Sequence, residues 1–130
     1  MSTRSMQTIL ASVFFILGGW CLFAPGSVLA LCIQPDYQSD DPIAPFLMAA
    51  FGAQAMIAGL FAMTAQFTRL TFLAYGIGLL PFFAFDFYFY FVTPVLTLIG
   101  AGGDFVGNVI MIGMCWLGWR NAPARIQQTA

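Results

Sequence analysis

Two carboxyl groups, Asp86 and Asp104, stand inside long apolar runs of this 130-residue chain. A carboxylate at the centre of a bilayer costs about 2.5 to 3.5 kcal/mol on insertion scales, so such residues face a bundle interior or a cavity. Acids placed in this way can hold a proton, a cation or a polar headgroup. Asn108 follows Asp104 by one helical turn and shares its face. Gln54 stands at a matching depth in an earlier apolar run. The expectation is a single polar layer of Gln54, Asp86, Asp104 and Asn108, forming a candidate ligand-binding site. If the two acids meet, they do not both ionise readily. A protonated carboxyl then donates to Gln54 or Asn108. The alternative for the same residues is polar glue, interhelical hydrogen bonds worth on average about 0.6 kcal/mol that fix helix rotation.

Catalysis has little else to draw on. The chain contains no His, no Lys and no Glu, which removes the usual ligands of haem and zinc and the usual general bases. Asp86, Asp104 and Tyr88 remain as acids or bases, and no nucleophile–base arrangement accompanies them. No enzyme, no cofactor and no metal is expected. The four arginines are scattered, so there is no basic run to bind nucleic acid.

Composition sets what must position the acids. The chain is 61% hydrophobic and 7% charged, against about 25% charged in soluble domains. A chain this short cannot bury so much apolar surface in a core of its own. The bilayer is therefore the expected solvent, and the fold class is all-α, a four-helix transmembrane bundle. A span needs about 20 apolar residues. Runs of that length cover about 8–31, 43–65, 70–91 and 95–119. Residues 32–42 form the one long polar loop, which holds Asp36, Asp40 and Asp41, and Thr93-Pro94 marks a tight turn on the same side. Arg4, Arg69, Arg120 and Arg125 all flank runs on the opposite side. Positive residues collect in the cytoplasm, so both termini are expected there, in a cell inner membrane. Counting down from the turn, Asp86 and Asp104 lie on the order of 10–15 Å below the outer surface. The first run has a rival reading. Arg4, the apolar stretch and Val28-Leu29-Ala30 resemble a cleavable signal peptide, although the run is longer than usual for one.

Other patterns have packing readings beside functional ones. Glycines recur at Gly18, Gly52, Gly59, Gly107 and Gly118, as expected where helices approach closely. Gly100 to Gly103 is denser, and a loosened segment there would expose carbonyls beside Asp104. Pro81 is expected to kink the third helix one turn before Asp86. The aromatic run from Phe82 to Phe91 places rings on every side, to face lipid or to wall a pocket around Asp86. Cys21, Cys32 and Cys115 read as small apolar packing residues.

Two resemblances follow from these residues. Phe85-Asp86 with Ala101-Gly102-Gly103-Asp104 resembles the Tyr-Asp and Gly-x-Gly-Asp pair of intramembrane aspartyl proteases. It departs at positions 85 and 101, and four spans are fewer than that family uses. Gly18-Gly19, Pro25, Gly52-Ala53-Gln54, Ile57-Ala58-Gly59-Leu60 and the Arg69 turn resemble small bacterial four-helix DoxX-like membrane proteins. That resemblance implies a four-helix architecture and association with redox or other membrane complexes. It assigns no reaction, and Gln54 stands where such proteins often carry an acid. The function expected is that of a small non-catalytic membrane protein, an accessory subunit or a homo-oligomer packing through small residues. The alternative is a binder or proton-coupled carrier of a lipophilic small molecule, using Asp86 and Asp104. The expected partners are the lipid bilayer and either further copies or a larger membrane complex.

Overall fold

A computed structural model describes residues 1–124. Arg125, one of the arginines used to set topology, lies outside them. Helix α1 (Thr3–Phe23) opens with the Ser2 hydroxyl accepting from the Ser5 amide at 3.1 Å. It stops at Ala24, and the short helix α2 (Pro25–Cys32) follows at once. Pro25 has no N–H to continue the first ladder, but fits the first turn of the next. The first apolar run is therefore two helices rather than one. A single 3-10 turn, Pro35–Tyr37, stands in the acidic loop. Helix α3 (Ile43–Thr64) comes next. Helix α4 (Arg69–Phe87) starts at a reciprocal Thr68–Thr71 cap and passes through Pro81. It widens into a π turn at Tyr88–Val92. Helix α5 (Leu98–Asn121) is capped by Thr97 and includes Gly100 to Gly103 as helix, so the loosened segment does not occur. Among the described residues, four helices are long and apolar enough to cross a membrane: Thr3–Phe23, Ile43–Thr64, Arg69–Val92 and Leu98–Asn121.

Helix α1 is the centre of the packing. It lies along α3 on one side and α5 on the other, while α4 packs on α5. Met6, Leu10 and Ala11 of α1 are fully buried. The α1–α3 seam depends on glycine. A Cβ on Gly52 would stand 2.6 Å from the Gly18 carbonyl oxygen, and one on Gly18 would stand 2.8 Å from the Ala55 Cβ. At this crossing the two backbones are in contact. Helices α3 and α4 are joined by a short turn yet meet lightly; one link between them is the Tyr75 hydroxyl donating to the Ala58 carbonyl at 3.2 Å.

The two ends are tied differently. Arg4, Arg69 and Arg120 gather at one end, the acidic loop at the other. At the arginine end, Arg69 Nε donates to the Ala122 carbonyl at 2.8 Å, and Arg4 donates to the Met63 carbonyl. Gln7, buried, donates to the carbonyls of Ala62 and Ala65 and so caps the end of α3. At the acidic end, Ile33 and Leu96 form an isolated antiparallel bridge. The Gln34 amide donates to Val95 at 2.8 Å and the Thr97 amide to Cys32 at 2.9 Å. Thr97 Oγ1 donates to the Leu31 carbonyl at 2.6 Å and accepts from the Gly100 amide. This clasp seats the end of α2 on the start of α5, where Gly100 leaves room for Cys32.

Candidate functional site

Asp86 and Asp104 meet. Asp86 stands near the C-terminal end of α4 and Asp104 two turns into α5, and the hairpin between them brings both to one level. Both carboxyl groups line one cavity. Asn108, fully buried on the next turn of α5, donates through Nδ2 to Asp104 Oδ2 at 2.8 Å. Asp86 is only 7% exposed, and its Oδ2 has no hydrogen-bond partner among the described residues. Three of the four expected members therefore come together.

Gln54 does not join them. It is exposed on the outer side of α3, away from both acids. Gly52, Gly59 and Ala62 are the buried positions of that helix, and Gln54 falls on the opposite face. Its depth agrees with the expected layer and its direction does not.

The acids border a cavity of about 250 Å³. Its walls come from every helix: Leu17, Trp20 and Cys21 of α1, Val28 and Cys32 of α2, Met48 and Phe51 of α3, Phe82 and Phe85 of α4, and Ile99 of α5. Apart from the two carboxyls the wall is almost wholly apolar. Cys21 and Cys32 are buried side by side with Val28, as packing residues of this wall. Trp20 is held by a 2.7 Å bond from its indole N–H to the Ser27 hydroxyl, which in turn donates to the Ala24 carbonyl. The break at Ala24 thus fixes one wall of the cavity. A smaller space of about 50 Å³ continues from Asp104 towards Asn108 and Met111 along the bundle axis.

Phe51 and Phe85 line the cavity and are also half exposed on the outside of the bundle. They mark a lateral opening between α3 and α4, the pair of neighbouring helices that pack least. Asp86 also borders a second groove of about 360 Å³ on the outer side of α4 and α5, walled by Phe83, Phe87, Tyr90, Phe91 and Phe105. The carboxyl therefore stands at the partition between the two spaces. The aromatic run divides accordingly, with Phe82 and Phe85 on the inner cavity and Phe83, Phe87 and Tyr90 on the groove.

Sequence reasoning missed Trp20, Phe51 and the α2 segment as parts of the site. The signal for α2 is Pro25-Gly26. For Trp20 and Phe51 no sequence signal separates a cavity wall from a lipid contact. Among the described residues, Arg4 and Arg69 bond to carbonyls at the far end of the bundle, and neither reaches the acids. Comparison with protein-family models, with curated proteins and with solved structures gives no match to this chain.

Proposed function

We propose that this is a small, non-catalytic, multi-pass membrane protein whose acidic cavity binds a lipophilic small molecule bearing a hydrogen-bond donor or a positive charge. The observation that carries this reading is the orphaned Asp86 Oδ2 at the edge of an apolar cavity. A buried polar atom without a partner costs on the order of 1–3 kcal/mol, and a donor on a ligand removes that cost. Two carboxyls at the edge of one apolar cavity also suit a cation. The aromatic walls at Phe51, Phe82 and Phe85 add faces that attract cations. Entry is lateral, from the bilayer, between Phe51 and Phe85.

The arginine end faces the cytoplasm of a cell inner membrane, and the acidic loop faces outward; the positive-inside bias supports this. The likeness to DoxX-like proteins belongs to the same proposal and concerns architecture alone. Proton-coupled transport is a narrower version, favoured by the position of Asp86 between the inner cavity and the outer groove. Native mass spectrometry of protein released gently from its own membrane tests the binding reading. The expected result is a reproducible non-lipid mass on the wild-type chain, lost in Asp86→Asn and Asp104→Asn variants that keep their helix content. An empty wild-type chain, or equal retention in both variants, refutes it.

A further inference from the structure

Six of the glycines that could serve an oligomer are used inside the single chain, while Gly26, Gly78, Gly102, Gly103 and Gly113 meet nothing within 4 Å. Gly18, Gly52 and Gly59 close the α1–α3 seam, Gly100 receives Cys32, Gly107 receives Leu17 and Gly118 receives Phe72. The unexplained residue is Gln54. It stands halfway along the 22 residues of α3, and so near the middle of a span. It is exposed there on the face that a bilayer would cover. The side-chain hydrogen bonds from other helices end on the carbonyls of Ala58, Ala62 and Met63 of α3, and Gln54 takes no part in them. A carboxamide in hydrocarbon has no water to bond, and leaving it unpaired is costly.

The surrounding face has a regular order. Leu47, Ala50, Gln54, Ile57, Phe61 and Thr64 follow one another at alternating spacings of three and four residues, and all are exposed. That is the a/d spacing of a left-handed helix pair, with one small residue and one polar residue at its centre. We infer that the outer face of α3 pairs with the same face of a second copy, and that Gln54 bonds to the partner's Gln54. The self-pairing follows from symmetry. Copies of one topology in one membrane are related by a two-fold axis along the membrane normal, which brings residues of equal depth together. A carboxamide holds both a donor and an acceptor, so it is its own complement. A single polar residue in an apolar seam also fixes register. Pairing through α3 leaves the α4–α5 groove and the opening beside Phe85 on other faces of each protomer. The inference stands whether or not the cavity holds a ligand.

The test uses the full chain, purified, labelled separately with donor and acceptor dyes, and reconstituted in phosphatidylcholine vesicles. Energy transfer is followed as lipid dilutes the protein. The expected result is a dimer whose dissociation constant rises about tenfold in Gln54→Leu, as one or two interhelical amide bonds allow, with Gln54→Asn closer to wild type. Ala50→Cys and Ile57→Cys are expected to cross-link between copies under mild oxidation, and Val109→Cys on α5 is not. Gln54→Leu leaves the monomer's unfolding midpoint unchanged or raised, which separates lost pairing from lost fold. A wild-type chain that stays monomeric at every dilution overturns the inference. So does a Gln54→Leu variant that associates as tightly as wild type. Cross-links confined to α5 overturn it as well.

Discussion

The α1–α3 seam allows a magnitude to be worked from the structure. In Gly52→Ala the new methyl meets the backbone of α1, closest at the Leu22 amide nitrogen, then at 2.6 Å from the Gly18 carbonyl oxygen and 2.8 Å from the Cys21 carbonyl carbon. Comfortable contact needs about 3.5 Å, so α1 must retreat by about 1 Å at this crossing. The obstacle is main chain, so no rotamer change relieves it. Retreat opens the contacts of Gly18 and Cys21, which are buried at this crossing. Overpacking of this kind costs about 1–3 kcal/mol, offset in part by the gain of about 1 kcal/mol when Ala replaces Gly in a helix. A net loss of up to about 2 kcal/mol is expected. Gly113→Ala is the control, because nothing lies within 4 Å of its Cβ position; it should be neutral or slightly stabilising. Reversible unfolding in mixed micelles, followed by circular dichroism, measures both. Equal stability of Gly52→Ala and Gly113→Ala would show that the helices do not touch here, and would refute the seam.

Thr97→Val removes both the cap on the Gly100 amide and the donor to the Leu31 carbonyl. A loss of about 1–2 kcal/mol is expected, with faster proteolytic nicking of the acidic loop, and Thr97→Ser should restore most of it. Arg69→Met removes the bond to Ala122; about 1–2 kcal/mol should be lost, and hydrogen exchange at the Ala122 amide should quicken. All three thiols are buried, so a charged maleimide should label the folded chain slowly and the denatured chain at Cys21, Cys32 and Cys115. Asp40→Cys should react with the same reagent from outside intact cells and Arg120→Cys only after lysis, which checks sidedness.

Depth was legible in the sequence and direction was not. Hydropathy runs place four helices, and counting from the Thr93-Pro94 turn puts Asp86 and Asp104 at one level. Charged residues reinforce this, since an acid in an apolar run has few places to go. Gln54 shows the limit. In a soluble helix the polar face reveals rotation, but here apolar residues occupy every side of α3, and lipid and protein interior favour the same side chains. Depth then says nothing about which way Gln54 points. The break at Ala24 was hidden for a related reason. Residues 24–32 are as apolar as those before them, so the clearest marker of the break is Pro25-Gly26. The cavity wall was illegible because it is assembled from all five helices, and no local pattern distinguishes Phe51 facing a cavity from Phe46 facing lipid.

The clasp at the acidic end has a consequence for how the protein is made. Leu31 and Thr97 are 66 residues apart in the chain. During synthesis the first and third helices emerge early and can close their glycine seam while the ribosome is still translating. Helix α2 has no such early partner for its last turn: the carbonyls of Leu31 and Cys32 wait for Thr97. The acidic cavity also needs Ile99 and Asp104, so its walls meet only after α5 is made. Nascent chains stalled before Thr97 should hold a protease-resistant α1–α3 pair with an open mouth. The site is therefore the last part of the molecule to be assembled.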